Sequence, residues 1–316
     1  MIRHLHPTDS PGLLQFSQSS GQGETCTLVS ALRGANQGGV GGFPTVKYAS
    51  IALSPRAWQS CWVEARRGRI DAVLRAGPRS GPQSWEVGEL YLRNSKSELA
   101  LDLLEQIAIP AGGAGAHRIF VRVPANSTVY EAARKAGYST VYSEIVFRAE
   151  SATEAISKLG IPDHALQLRP RTEADDQALF RMHNETTPIE VRMKTGQTTQ
   201  DWLDSSERLG RKTSEWVLEL PNGDVGALVQ RSSTRSGNMF NLNWATDAAA
   251  ELPGLVAAAL AKSKDVPVSA AIPEHRPALS HLLVTLGFTE QAQYEVMVKP
   301  LAQTITEAKN AFAAIS

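Results

Sequence analysis

Val129-Tyr130-Glu131-Ala132-Ala133-Arg134-Lys135-Ala136-Gly137-Tyr138 is answered 150 residues later by Leu279-Ser280-His281-Leu282-Leu283-Val284-Thr285-Leu286-Gly287-Phe288. Val129, Ala132, Ala133 and Ala136, like Leu279, Leu282, Leu283 and Leu286, recur at i, i+3, i+4 and i+7, the stripe of a helix with one buried face. The glycine after each stripe stands where a left-handed C-terminal cap needs it. Outward from this pair, three more blocks agree in the same order. Glu98-Leu99 with Leu103 matches Glu251-Leu252 with Val256, Gly68 to Ala72 matches Gly223 to Ala227, and Ile2-Arg3 with Asp9 matches Leu168-Arg169 with Asp175. The offsets, 153, 155 and 166, grow steadily toward the front, as two diverged copies with small deletions would give. The chain reads as a tandem duplication, with copies over 1–150 and 166–302, a linker over 151–165 and a tail helix over 303–316.

At 316 residues the chain has room for two domains, each long enough for a core of its own. Its 32 basic and 32 acidic residues cancel, so no net field favours phosphate backbones or anionic lipid, and nucleic acid is not expected as a partner. The opening residues carry no signal-like apolar segment, and no apolar run approaches bilayer length, so a soluble, cytoplasmic protein without membrane contact is expected. Cys26 and Cys61 both fall in the first copy and imply no disulfide framework; both are expected reduced and buried. The seven histidines show no metal-ligand spacing, so no metal is expected. Gly210-Arg211-Lys212-Thr213 lacks the earlier glycine of a phosphate-binding loop, and no G-x-S-x-G elbow occurs.

Each copy starts with a short strand, a capping turn and a helix. A hairpin follows, marked in the second copy by Asn222-Gly223 and in the first by Arg66-Arg67-Gly68. A third strand is predicted over 85–92 and 239–244, a helix over 97–108 and 251–263, and a strand over 118–123 and 266–272. The striped helix and one last strand close each copy. Residues 34–44 and 184–200 read as loops.

This order resembles the GCN5-related N-acetyltransferase superfamily, most closely in the closing segments, where Asn126 precedes Gly137 at the family's spacing and Arg276 takes that place in the second copy. The resemblance implies a mixed α/β fold in two tandem domains. It also implies acetyl-CoA or another acyl-CoA held between splayed third and fourth strands, its thioester attacked directly by a small-molecule or peptide amine. In the first copy the cofactor would run along Leu90, Leu92, Arg93, Ser95 and Lys96, with Ala100 and Asn126 beside it. Glu86 and Glu89 on the third strand are the candidates for a general base. The family's phosphate turn is degraded. Ser95, Glu98 and Ala100, and in the second copy Ala248, Glu251 and Pro253, replace Q/R-x-x-G-x-G/A. A glutamate there favours the helix start but repels a pyrophosphate. The family's tyrosine that protonates the departing thiolate is replaced by Ala133 and Leu283. Two functions therefore stay open: an N-acyltransferase, monomeric or homodimeric, or a non-catalytic binding module whose cofactor sites have decayed.

Overall fold

The computed structural model describes residues 1–20, 23–34, 42–54, 60–94, 96–159, 166–210, 212–234, 237–261 and 266–301. The tail helix, residues 160–165 of the linker, residues 35–41 of the first loop and Ser95 lie outside them.

The first half runs β1 (Ile2–His4), α1 (Ser10–Ser17), α2 (Leu28–Gly34), α3 (Thr45–Ala52), β2 (Cys61–Arg66), β3 (Arg69–Pro78), β4 (Ser84–Leu92), α4 (Ser97–Gln106), α5 (Ala108–Gly113), β5 (Arg118–Pro124), α6 (Val129–Lys135) and β6 (Ser139–Ala149). After α7 (Ala152–Lys158) the second half repeats the order. It has β7 (Leu168–Pro170), α8 (Asp176–Thr186), α9 (Ile189–Thr195), α10 (Thr199–Ser205), β8 (Thr213–Glu219), β9 (Val225–Ser233), β10 (Asn238–Trp244), α11 (Leu252–Leu260), β11 (Val268–Pro273), α12 (Pro277–Thr285) and β12 (Thr289–Pro300). Residues 184–200, expected as a loop, instead end α8, form α9 and start α10. Pro188 and Thr198 cap these two short helices, which the sparse apolar residues of the segment did not signal.

Local chemistry repeats closely. Gly137 and Gly287 take φ of 89° and 87°, and the residues after them, Tyr138 and Phe288, donate back to Ala133 and Leu283 at 3.0 Å each. This is the closed helix end that only glycine adopts without strain. At the other end of each half, Arg3 pairs with Asp9 at 2.6 Å and Arg169 with Asp175 at 2.7 Å. The same aspartates accept the backbone N–H of His6 and Thr172 and complete capping boxes. The Arg169 hydrogen bond holds Asp175 well below the usual carboxylate range; burial opposes the shift at Asp9, but the Arg3 contact outweighs it. Unfolded aspartate titrates near 3.9. The stabilisation is therefore complete above about pH 4 and is lost as pH falls through the lower folded values. Asp9→Asn and Asp175→Asn are each expected to cost about 1 kcal/mol at neutral pH. In urea melts that cost should shrink toward zero in acid.

The strands form one sheet in the order β1-β2-β3-β4-β5-β12-β6-β11-β10-β9-β8-β7. The closing strands are exchanged. β12 of the second half pairs with β5 of the first, from Tyr294 opposite Pro124 to Pro300 opposite Arg118, while β6 pairs with β11, from Val268 opposite Ala149 to Pro273 opposite Glu144. Each half supplies a single closing strand, and the other half's strand covers the edge that β5 or β11 would leave open. The two cores are therefore not self-sufficient. Met297 of β12 packs into the core of the first half, and Phe147 and Ala149 of β6 into that of the second.

Cys26 and Cys61 are buried free thiols. Burial pushes Cys26 up to about 12 and Cys61 higher still. Neither should react with a thiol reagent at pH 8 until the protein is unfolded. No helix among the described residues is long and apolar enough to cross a membrane.

Candidate active site

A parallel pair that stops pairing partway opens a wedge in the sheet, and this sheet has two. β4 and β5 pair from Ser84 opposite Arg118 to Val87 opposite Val121, then part. β10 and β11 pair only at Asn238 opposite Val268 and Met239 opposite Ser269, although β10 continues to Trp244 and β11 to Pro273.

In the first wedge the chain's own residues 23–27 lie between the strands. Glu24 N–H donates to the Leu90 carbonyl at 2.7 Å, and Cys26 N–H to the Arg122 carbonyl at 3.1 Å. Thr25 forms a bridge with Leu90. Thr27 sits over Gly88 so closely that a Cβ there would lie 3.0 Å from the Thr27 methyl. Backbone groups that could hold an extended ligand are taken.

Residues expected along this path have other partners or surroundings. Leu90, Leu92 and Ala100 are fully buried in the core. Arg93 is buried as well. It donates to the Ile70 carbonyl at 3.0 and 2.8 Å and to Ser19, pairs with Asp71 at 3.2 Å, and lies over the Phe16 ring. Lys96 caps α4 and, like Asn126, is exposed. Glu89 faces α3, where it accepts from the Tyr48 hydroxyl at 2.9 Å and pairs with Lys47 and Arg75.

Glu86 joins a buried charge cluster. Arg122 of β5, wholly buried, donates through Nε to Glu144 at 2.6 Å and through both Nη atoms to Glu207 at 2.9 and 2.8 Å, with Glu86 at 3.7 Å. Arg79 lies on the Phe120 ring at 4.1 Å and pairs with Glu86 at 3.4 Å and Glu207 at 3.2 Å. Burial, reinforced by the Glu207 charge, pushes Glu86 and Glu144 up. Burial acts on Glu207 too, but Arg122 and Arg79 outweigh it and hold its carboxyl down. Two guanidinium groups facing three carboxylates leave one surplus negative charge, so the cluster can hold a proton that the arginines do not neutralise.

The second wedge lies open. β9 pairs with the far edge of β10, but among the described residues no segment makes a backbone hydrogen bond to the wedge-facing edge of β10 beyond Met239 or of β11 beyond Ser269. A cavity of about 210 Å³ occupies the space, over ten times the ~10–15 Å³ that a single water needs. One wall carries Glu144, Glu207, Arg79 and Tyr142; another carries His183 of α8 and Thr187 just after it, with His275 and Arg276 just past β11. Asn241 and Asn243 line it from β10, and Ala271 from β11. The cavity therefore brings β6 of the first half against α8–α10 and β10–β11 of the second. Of the described residues singled out from sequence as site candidates, none lines it. The available signals were Arg122 among apolar neighbours in a buried strand, and Arg276 at the position expected for asparagine.

At the start of α11, Glu251 and Pro253 stand where a phosphate-binding turn would need glycine, and Glu251 caps the helix. The residues present there supply no glycine-lined cradle for a pyrophosphate.

No protein-family model matches the sequence, and no curated protein matches it either. Solved structures do. A GCN5-related N-acetyltransferase from Sphaerobacter thermophilus superposes with a TM-score of 0.51 at 14% identity, over 96% of this chain and 97% of that one. A tandem GNAT protein from the clavulanic acid biosynthesis pathway gives 0.52 at 12% identity, over 96% and 99%. A putative acetyltransferase from Pyrococcus horikoshii gives 0.52 at 11%, over 96% and 91%. At these identities the likeness is one of fold: the chain is built as a tandem GCN5-related N-acetyltransferase fold.

Proposed function

We propose that the protein is an acyltransferase whose working site is the β10–β11 wedge, and that the first half serves as scaffold. The observation carrying this reading is the contrast between the wedges. One is threaded by residues 23–27; the other opens onto a cavity with Glu144 and Tyr142 on its wall. The free edge of β10, from Phe240 to Trp244, would hold an acyl-CoA arm, and Ala271 of β11 would flank its thioester. A neutral amine attacks that carbonyl, a C–N bond forms and the C–S bond breaks. The proton released by the amine goes to Glu144, and the departing thiolate takes one from Tyr142, whose hydroxyl burial keeps protonated. Glu86, the sequence candidate, contributes as the partner of Arg79 and Arg122 that tunes the cluster.

Calorimetric titration of acetyl-CoA tests the reading. One molecule per chain should bind, Ala271→Phe should abolish binding by filling the wedge, and Gly88→Val in the threaded wedge should change Kd less than twofold. Loss of binding in the Gly88 variant alone would move the site to the first half. With no phosphate-binding turn, S-acetylpantetheine should bind within tenfold of acetyl-CoA, and Glu251→Gly should favour acetyl-CoA selectively. Absence of binding by any of these thioesters would leave a non-catalytic binding module as the function.

A further inference from the structure

Arg276 is a buried cation without a counter-ion. It is 7% exposed, and among the described residues no carboxylate lies within pairing distance. Its guanidinium rests over the Trp244 ring at 4.8 Å, and Nη2 reaches Thr186 Oγ1 at 3.4 Å, a weak contact for a group with five N–H donors. Burial lowers its pKa to about 10, which leaves it charged at neutral pH. Two imidazoles line the same cavity. His183 uses Nδ1 toward Thr187 Oγ1 at 3.1 Å, while its Nε2 is buried without a partner among the described residues. His275 stands edge-on to Tyr142, its Nδ1 likewise buried and unpartnered. A cavity end that gathers an uncompensated guanidinium and two unsatisfied ring nitrogens, with no anion of its own, is arranged to receive one.

The rest of the lining narrows the class. Glu144, Glu207 and Glu215 also line the cavity; Arg171 pairs with Glu215, and Arg79 and Arg122 with Glu207, so the surplus negative charge lies with Glu86 and Glu144. That charge would attract an amine. β11 sets the two walls close together along the strand: Pro273 pairs with Glu144, and Arg276 follows three residues later.

We infer that the cavity takes a small aminocarboxylate, its carboxylate on Arg276 between His183 and His275 and its amine toward Glu144. The assignment rests on the acyltransferase reading only for the fate of that amine; binding itself does not require acyl-CoA.

Calorimetry without any thioester is therefore the test, using the straight-chain series from glycine through 4-aminobutanoate to 6-aminohexanoate as a ruler. One member should bind at least tenfold more tightly than both the alkylamine and the alkanoate of its length. Arg276→Leu, which keeps an apolar side chain against Trp244, should weaken that binding tenfold or more, and Arg276→Lys should weaken it less. In the wild type, ring resonances of His183 and His275 should move on titration while those of His4 and His281 stay, a readout that needs no variant to fold. No binding across the series, an alkanoate as tight as its aminocarboxylate, or unmoved His183 and His275 resonances would each overturn the assignment. Aminocarboxylate binding without acetyl-CoA binding would leave this site standing and remove the acyltransferase reading instead.

Discussion

Arg122→Met is expected to destabilise the protein by about 3–5 kcal/mol, the cost of removing one partner from a buried ion pair. Arg122 has no exposed surface and touches Glu86, Glu144 and Glu207, so its loss leaves Arg79 alone against three carboxylates. The surplus charge in the cluster grows from one to two. Methionine fills much of the space, so charge rather than volume dominates the change. Denaturant melts with an unchanged slope would measure it. The double variant Arg122→Met with Glu144→Gln returns the surplus to one and should recover at least about 1 kcal/mol of the loss. Equal instability in single and double variants would show that the arginine's packing, not its charge, is what matters.

The pH dependence has a definite sign. Glu86 and Glu144 have folded pKa values raised above the unfolded glutamate value near 4.3. At these two groups the folded state binds more protons than the unfolded chain, so their contribution is greatest below about pH 4.3 and falls as pH rises through the folded values, whereas that of Glu207, held down to about 2, is lost as pH falls toward that value. Without Arg122 those values rise further, and the deficit of the variant should widen as pH rises above about 4.3.

Glu144→Gln is expected to lower kcat for acetyl transfer by roughly 10²- to 10⁴-fold, the usual contribution of a positioned general base. KM for acetyl-CoA should move less than tenfold. Unlike the arginine change, this one removes the surplus charge: Arg122 keeps its two hydrogen bonds to Glu207, and two guanidinium groups then face two carboxylates. Thermal stability should hold or rise. The rate of the wild type should increase with pH through the raised Glu144 value, and that limb should vanish in the variant. A kcat within threefold of wild type would assign the proton transfer elsewhere.

The two closing helices illustrate what could be read in advance. Val129 to Gly137 and Leu279 to Gly287 carry their structure locally, because a 3.6-residue stripe and a glycine cap act within ten residues. The Asn222-Gly223 hairpin is likewise local, with Gly223 at φ of 84°. Asp9 and Asp175 cap their turns through partners six residues away, within reach of inspection. The site candidates were chosen by the same local logic, from the third strand and the helix after it. They could not disclose that residues 23–27, far from β4 in sequence, lie along it. Glu86 was singled out as an isolated strand carboxylate, whereas its role depends on Arg79, Arg122 and Glu207.

By itself, the sequence determined most of the order of elements, the near repetition of that order in two halves and the absence of glycine at Glu98 and Glu251, since each depends on spacing within a short stretch. Only the tertiary structure decided that β6 and β12 trade places, that one wedge is threaded and the other open, and that Glu144 and Arg276 face one cavity. Those facts depend on pairings between residues some 60 to 180 positions apart. Such contacts are selected by burial and backbone hydrogen bonding across the whole sheet, which no short stretch encodes.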